Sequence, residues 1–213
     1  MAGHKNIPHT KSMLRRIEYA TLAQLSIDGP ILDIGGSTKS GYHDLIGGEH
    51  TILTGNIDAS YGCDIIFDAE EAWPVENDTY SAVLLINILE HLYNYEHAVA
   101  ETHRVLKNDG RVIGVVPFML NIHAAPRDFF RYSRYTLERL LTDQGFSDIK
   151  ITELGTGLFS LLYQSSITLV PLFLSTPLIA IARGLDGLCD RLKPGSALSR
   201  KYMPLGYYFE ARK

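Results

Sequence analysis

The stretch Ile31 to Ser40, ILDIGGSTKS, has the residue types that could hold a nucleotide-like ligand. Ile31, Leu32 and Ile34 form an apolar run around Asp33, just behind Pro30, and read as the end of a β-strand. Gly35 and Gly36 then permit a turn that residues with a Cβ resist, and Ser37 or Thr38 can cap a following helix. Backbone N–H groups and a hydroxyl are therefore expected at the carboxyl end of a strand, where an open α/β sheet takes its ligand. Two phosphate-binding readings fail on spacing. A P-loop needs Gly-Lys-Ser behind a distal glycine, whereas Lys39-Ser40 follows Thr38 and Asp33 holds the distal position. A dinucleotide fingerprint needs G-x-G-x-x-G, which Gly35, Gly36 and Gly41 do not supply. Two histidines have the chemistry of a general base. His91 directly follows Glu90, and His123 precedes Asp128, Arg131 and Tyr132 within one loop. Each also has a plainer reading: His91 as a packed residue that orders its loop, and Asp128 with Arg131 as an ion pair that pins theirs.

The elements that must position these residues alternate in type. Ser12 can cap a helix carrying Leu14, Ile17, Thr21 and Leu25. Strands are expected at Thr51 to Ile57, Cys63 to Phe67, Tyr80 to Ile86, Arg111 to Val116, Ile149 to Leu154 and Tyr207 to Ala211. Helical patterns fall at Tyr42 to Ile46, His91 to Leu106 and Tyr135 to Leu141, with Asn108-Asp109-Gly110 as a turn signal. Strand and helix taking turns in this way predicts an α/β, doubly wound sheet with right-handed crossovers. The 213 residues fit one domain. Residues 1–27 form its tail and first helix, with MAGHKNIPH read as a loosely held tail.

From Leu154 through Ala182 no residue is charged, and this stretch predicts an apolar helical insertion over residues 155–195, before the last strand. Pro171 and Pro177 are expected to interrupt it, which makes an unsupported bilayer span a poor reading. Leu185, Leu188 and Leu192 predict a separate short amphipathic helix. A net charge of −4 argues against a protein that holds nucleic acid through its phosphates. Cys63 and Cys189 form neither a disulfide framework nor a metal-ligand spacing, so a cytoplasmic setting is the default and no metal is expected. The N-terminal residues have no continuous apolar core and do not read as a signal peptide.

The chain resembles the class I S-adenosylmethionine-dependent methyltransferases, in the small-molecule, type 11-like group. The resemblance rests on LDIGG at Leu32 to Gly36, FDAE at Phe67 to Glu70, NILEHL at Asn87 to Leu92, RVLKNDG at Arg104 to Gly110, and H-x-x-P-x-D-x-x-R-Y from His123 to Tyr132. It departs from the family pattern at the third glycine of the first motif, around Ser37 to Lys39, and at Ser81, where an aspartate is common.

The resemblance implies a mostly parallel, seven-stranded Rossmann-like sheet and S-adenosyl-L-methionine as cofactor. It implies that Gly35 and Gly36 pass close to the methionine portion, with Asp33 ordering the turn or meeting the amino group. The acidic position for the ribose hydroxyls falls at Asn56 or Asp58, with Asp58 favoured because two acceptor oxygens suit a diol. Asp68 would accept from the adenine amino group while Phe67 and Ala69 flank the ring, and Asn87 would lie near the transferring methyl. His123 and His91 would be the candidates for a base if the acceptor is protonated.

Asn87-Ile88-Leu89-Glu90 stands where amino-methylating enzymes of DNA bases carry Asn/Asp-Pro-Pro-aromatic, and no nucleophilic cysteine is apparent. A small-molecule acceptor is therefore expected. Segment 155–195 is read as a lid or homodimer contact. The sharper alternative is a peripheral membrane contact, with Arg183, Arg191 and Lys193 near headgroups and a lipid-linked acceptor. A non-catalytic binding or scaffold protein on the same fold, and a nicotinamide-dependent enzyme, are the competing classes.

Overall fold

The computed structural model describes residues 10–124 and 126–213. The expected loose tail over residues 1–9 lies outside them. Ser12 caps helix α1 (Met13–Leu22) by accepting from the Arg15 N–H, as its sequence position predicts. Strands β1 (Gly29–Ile34), β2 (His50–Asn56), β3 (Ile65–Ile66), β4 (Tyr80–Ile86) and β5 (Leu106–Pro117) follow, with helix α2 (Tyr95–Val105) before the last of these. The chain continues through α3 (Arg134–Asp143), β6 (Ser147–Leu154), α4 (Leu158–Ser165), α5 (Leu172–Leu192) and β7 (Gly206–Arg212). One seven-stranded sheet results, in the order β3-β2-β1-β4-β5-β7-β6. The first five strands are parallel, and β7 runs antiparallel to both β5 and β6. The order reverses between β1 and β4, and ligands of open α/β sheets bind outside the carboxyl ends at such a point.

Side-chain alternation along the strands divides the core between the two faces. Leu32 and Ile34 of β1, Val83 and Leu85 of β4 and Phe209 of β7 pack under α2 and α3, with Val99 and Leu137 from those helices. Ile31, Leu84 and Ile113 face the other way, onto Leu14 of α1, Tyr163 of α4 and Ile179 of α5. Each fully buried Leu or Ile stabilises the layers by about 1.5–3 kcal/mol.

Three local expectations differ from the fold. Ser37 and Thr38 open no α-helix, because Thr38 is held by its N–H and its hydroxyl to the Gly62 carbonyl, both at 2.8 Å. Only a 3₁₀ turn forms beyond, at His43–Leu45. The turn signal Asn108-Asp109-Gly110 sits within β5, between the pairings Tyr80 with Leu106 and Ala82 with Arg111, with Asp109 at φ 62°. The expected break at Pro177 and the separate short helix do not occur, since α5 runs unbroken from Leu172 to Leu192 with Pro177 inside it. Pro177 lies in the second turn, so it removes one N–H donor while the rest of the helix continues.

Asp186 anchors α5 to the start of α4. Its buried carboxylate accepts from the N–H groups of Phe159 and Ser160 at 2.8 and 3.0 Å, and from the hydroxyls of Thr156 and Ser160 at 2.8 and 2.6 Å. An anion at a helix N-terminus is favoured by the unpaired amides there. The outer face of α5 stays apolar and open, with Phe173 78% and Leu192 77% exposed.

Candidate functional site

A cleft of about 440 Å³ opens at the carboxyl ends of β1, β2 and β4. Gly35, Asn56, Phe67, Asp68, Ala69 and Asn87 line one side, and Pro126, Arg127 and Phe129 approach from the loop after β5. Gly35 has φ +77°, and a Cβ there would stand 2.6 Å from Ile88 Cδ1. Its backbone is thus exposed to the cleft where no side chain fits.

Asp33 is not at the cleft. Strand alternation sends it to the face of Ile31, where it is fully buried and accepts from Tyr42 Oη and pairs with His43 Nε2, both at 2.7 Å. Burial raises its carboxyl above the ordinary aspartate value, against the lowering effect of His43. A Cβ at Gly36 would lie 1.9 Å from Asp33 Oδ2, so the second glycine makes room for this carboxylate and does not line the cleft. Asp33 therefore orders the turn from behind.

Asn56 is the residue at the cleft after β2. Its amide nitrogen donates to the carbonyls of Gly35 and Gly36 at 2.9 and 3.1 Å, and its oxygen accepts from the Ile57 N–H at 2.9 Å. One acceptor lone pair on that oxygen is left. Asp58, favoured from the sequence, lies outside the lining and is exposed. It caps the turn Ala59–Tyr61 by accepting from the Ser60 N–H at 2.7 Å, which lowers its carboxyl below the usual range. Two residues beyond the strand end, the chain has already turned away.

Phe67 stands beside Trp73 with ring centroids 5.8 Å apart. Asp68 accepts the Glu70 N–H through Oδ1 at 2.9 Å, and no hydrogen bond engages its other oxygen among the described residues. Asn87 ends β4 at φ 51°, a left-handed conformation that asparagine tolerates. Its amide donates to Glu18 Oε2 at 3.0 Å. Burial raises the Glu18 carboxyl above its ordinary value, with Arg15 opposing.

His91 and His123 come together, their rings 5.2 Å apart and edge to face. Between them lies Glu90, fully buried, which sequence reasoning missed although an acid within the apolar NILEHL run was a signal. Glu90 beside it raises His123 above the usual imidazole range. The ion pair expected of Asp128 and Arg131 forms, with Arg131 Nη2 at 2.7 Å and a second, shorter contact through Nη1. It holds the Asp128 carboxyl down at about 2, and Asp128 also accepts the His123 N–H at 2.9 Å. Glu18 is the second missed residue. Its spacing with Leu14 and Leu22 along the buried stripe of α1 was readable.

The residues present fit S-adenosylmethionine. Gly35 offers bare backbone, Phe67 and Ala69 an apolar wall, and Asp68 an acceptor oxygen.

Residues 56–114, from the end of β2 into β5, match the family described as a methyltransferase domain. An uncharacterised protein of Methanocaldococcus jannaschii is 28% identical over 118 residues, which is 52% of this chain and 44% of that protein. The match thus spans less than half of the relative's length. Among solved structures, phosphoethanolamine N-methyltransferase 2 of Haemonchus contortus, in complex with S-adenosyl-L-methionine, superposes with TM-score 0.59 at 15% identity. That match covers 92% of this chain and 52% of the other. A SAM-dependent methyltransferase from Archaeoglobus fulgidus gives 0.56 at 17% identity, over 95% and 92% of the two chains. One from Mesorhizobium loti gives 0.60 at 13%, over 92% and 98%. At these identities the structures are alike in fold.

Proposed function

We propose, from the methyltransferase-domain match over residues 56–114 and a fold shared with S-adenosylmethionine-dependent methyltransferases, that this chain is a class I S-adenosylmethionine-dependent methyltransferase and that it methylates a small-molecule acceptor by in-line displacement. The single observation that carries the reading is the convergence of Gly35, Asn56, Asp68 and Asn87 on one cleft at the sheet's reversal point.

When bound, the cofactor supplies an electrophilic methyl on a sulfonium. In this reading Asp68 accepts from the adenine amino group and Phe67 with Ala69 flanks the ring. Asn56 holds the glycine turn and offers its remaining lone pair to the ribose. The Gly35 backbone borders the methionine portion, and Asn87, fixed by Glu18, borders the reacting methyl. Pro126, Arg127 and Phe129 of the loop after β5 border the cleft, where they would help align the two reactants. His123 and His91 stand at the rim, where either could take a proton from the acceptor.

A membrane-facing acceptor is the second reading, favoured by the open apolar face of α5. That helix is long and apolar enough to cross a bilayer by length and composition, and 22% of its most apolar window is buried. Arg191 and Lys193 at its end suit headgroups, whereas Arg183, placed there by the sequence reading, lies mid-helix. Flotation with anionic vesicles supports this reading. Failure to float together with a concentration-dependent dimer favours a homodimer contact.

Thermal shift separates the functional classes. S-adenosylmethionine and S-adenosylhomocysteine should both raise Tm and nicotinamide cofactors should not. A shift with nicotinamide cofactors alone would overturn the proposal. Binding without turnover on any acceptor would favour the scaffold reading.

A further inference from the structure

Glu90 is a fully buried carboxylate, and neither of its oxygens has a hydrogen-bond partner among the described residues. An uncompensated buried anion is costly, so something positive must meet it. His91 Nε2 and His123 Nε2 each stand 3.7 Å from the same oxygen, Glu90 Oε1. These separations are too long for hydrogen bonds.

The opposite ring nitrogens are both engaged. His91 Nδ1 lies 2.5 Å from the Arg127 carbonyl oxygen. His123 Nδ1 lies 3.2 Å from the Asn121 carbonyl and 3.4 Å from Asp128 Oδ2. Those partners only accept, so Nδ1 carries the proton in each ring. In a neutral imidazole the Nε2 lone pairs then point to the glutamate. Three lone-pair atoms within 4.8 Å of one another repel unless positive charge sits among them, either a proton on an Nε2, for which 3.7 Å is too long a hydrogen bond, or a cation bridging all three. Histidines whose far nitrogen donates to a carbonyl or carboxylate are held as metal-binding histidines are. Around a tetrahedral ion with ligand bonds of about 2.1 Å, donors lie about 3.4 Å apart, and the two separations from Glu90 Oε1, 3.7 Å each, are a few tenths of an ångström longer.

We propose that Glu90, His91 and His123 form a two-histidine, one-carboxylate site for a divalent transition-metal cation at the rim of the cofactor cleft. The donor set of two nitrogens and one oxygen suits zinc, cobalt or iron(II) over magnesium or calcium. With both Nε2 lone pairs given to the cation, His91 and His123 act as ligands and not as bases, and such a set leaves coordination positions open. Because His91 also lines the cleft, an oxygen of the acceptor substrate is the ligand suited to fill one, which would orient it and make its hydroxyl more acidic. This last step rests on the methyltransferase reading, whereas the cation site does not. Arg131, the nearby cation, is already neutralised by Asp128.

The test is titration of tag-free, EDTA-stripped full-length protein with cobalt(II), read by its visible absorption bands, followed by displacement with zinc(II). The wild-type protein should take one equivalent. His123→Ala, at a half-exposed position that tolerates truncation, and His91→Ala should each weaken binding at least about tenfold, the lower range for loss of even an outer-shell metal partner. His103→Ala, which sits against Phe146 far along the chain, should leave binding unchanged. Lack of saturable binding, or equal binding by wild type and His123→Ala, would overturn the site. Metal binding without S-adenosylmethionine binding would sink the methyltransferase reading alone, and the reverse would sink the cation site alone.

Discussion

The Glu18 carboxylate accepts from Asn87 Nδ2 at 3.0 Å, tying the first helix to the end of β4 across 69 positions of sequence. A buried acid on α1 thereby fixes the side chain that borders the cleft. Asn87→Ala should destabilise the fold by about 1–3 kcal/mol, because it leaves Glu18 buried without its donor and puts a Cβ-bearing residue of poor left-handed tendency at φ 51°. Urea denaturation measures this. Asn87→Gly should recover the backbone part only, and equal stability of Asn87→Ala and wild type would refute the link.

Asn56 and Asp58 make opposite predictions for cofactor affinity. Asn56→Ala releases the Gly35 and Gly36 carbonyls and should weaken S-adenosylhomocysteine binding about tenfold, roughly one charge-free hydrogen-bond set. Asp58→Ala should change it by less than about twofold, since Asp58 only caps an exposed turn. Calorimetry on both variants decides, and the reverse ranking would return the ribose contact to Asp58.

Glu101 gives a pH dependence of known sign. Its carboxylate accepts from Arg104 Nε and Nη2, both at 2.7 Å, and from the Trp73 N–H at 2.8 Å. Arg104 is the main reason its carboxyl lies below the ordinary 4.5. A depressed folded-state value means the stabilisation is complete above the unfolded value and is lost as pH falls through the folded one. Glu101→Gln should cost about 1–2 kcal/mol at neutral pH and flatten the loss of stability in acid. An unchanged acid profile would count against this pair as its source.

Asp186 secures the segment between β6 and β7. Asp186→Ala strands four donors at the start of α4 and should cost about 2–4 kcal/mol locally. Proteolytic cleavage between residues 155 and 195 should quicken while the sheet persists by circular dichroism. Cleavage at the wild-type rate would contradict the anchoring role.

Much of the layout was readable because strand alternation and turn chemistry are local. Leu32 and Ile34 against Ile31, the cap at Ser12, and Phe67-Asp68 after a strand all follow from neighbours in sequence. What escaped depends on distant partners. Thr38 could not be known to bond Gly62 instead of capping a helix, and Asp33 could not be known to meet Tyr42 and His43 behind the sheet. Pro177 was read as a break, yet tertiary packing of Ile179 and Ala182 carries the helix through it. Glu18 and Glu90 had sequence signals, an acid on the apolar stripe of α1 and one within NILEHL, but their partners Asn87 and His123 were visible only in the fold.

Equilibrium dialysis with methyl-labelled S-adenosylmethionine tests the central claim most directly. One equivalent should be retained with a Kd in the micromolar range, about −8 kcal/mol, and S-adenosylhomocysteine should displace it. Label that is not retained, or that the homocysteine product does not displace, would contradict a methyl-donor site at Gly35, Asp68 and Asn87.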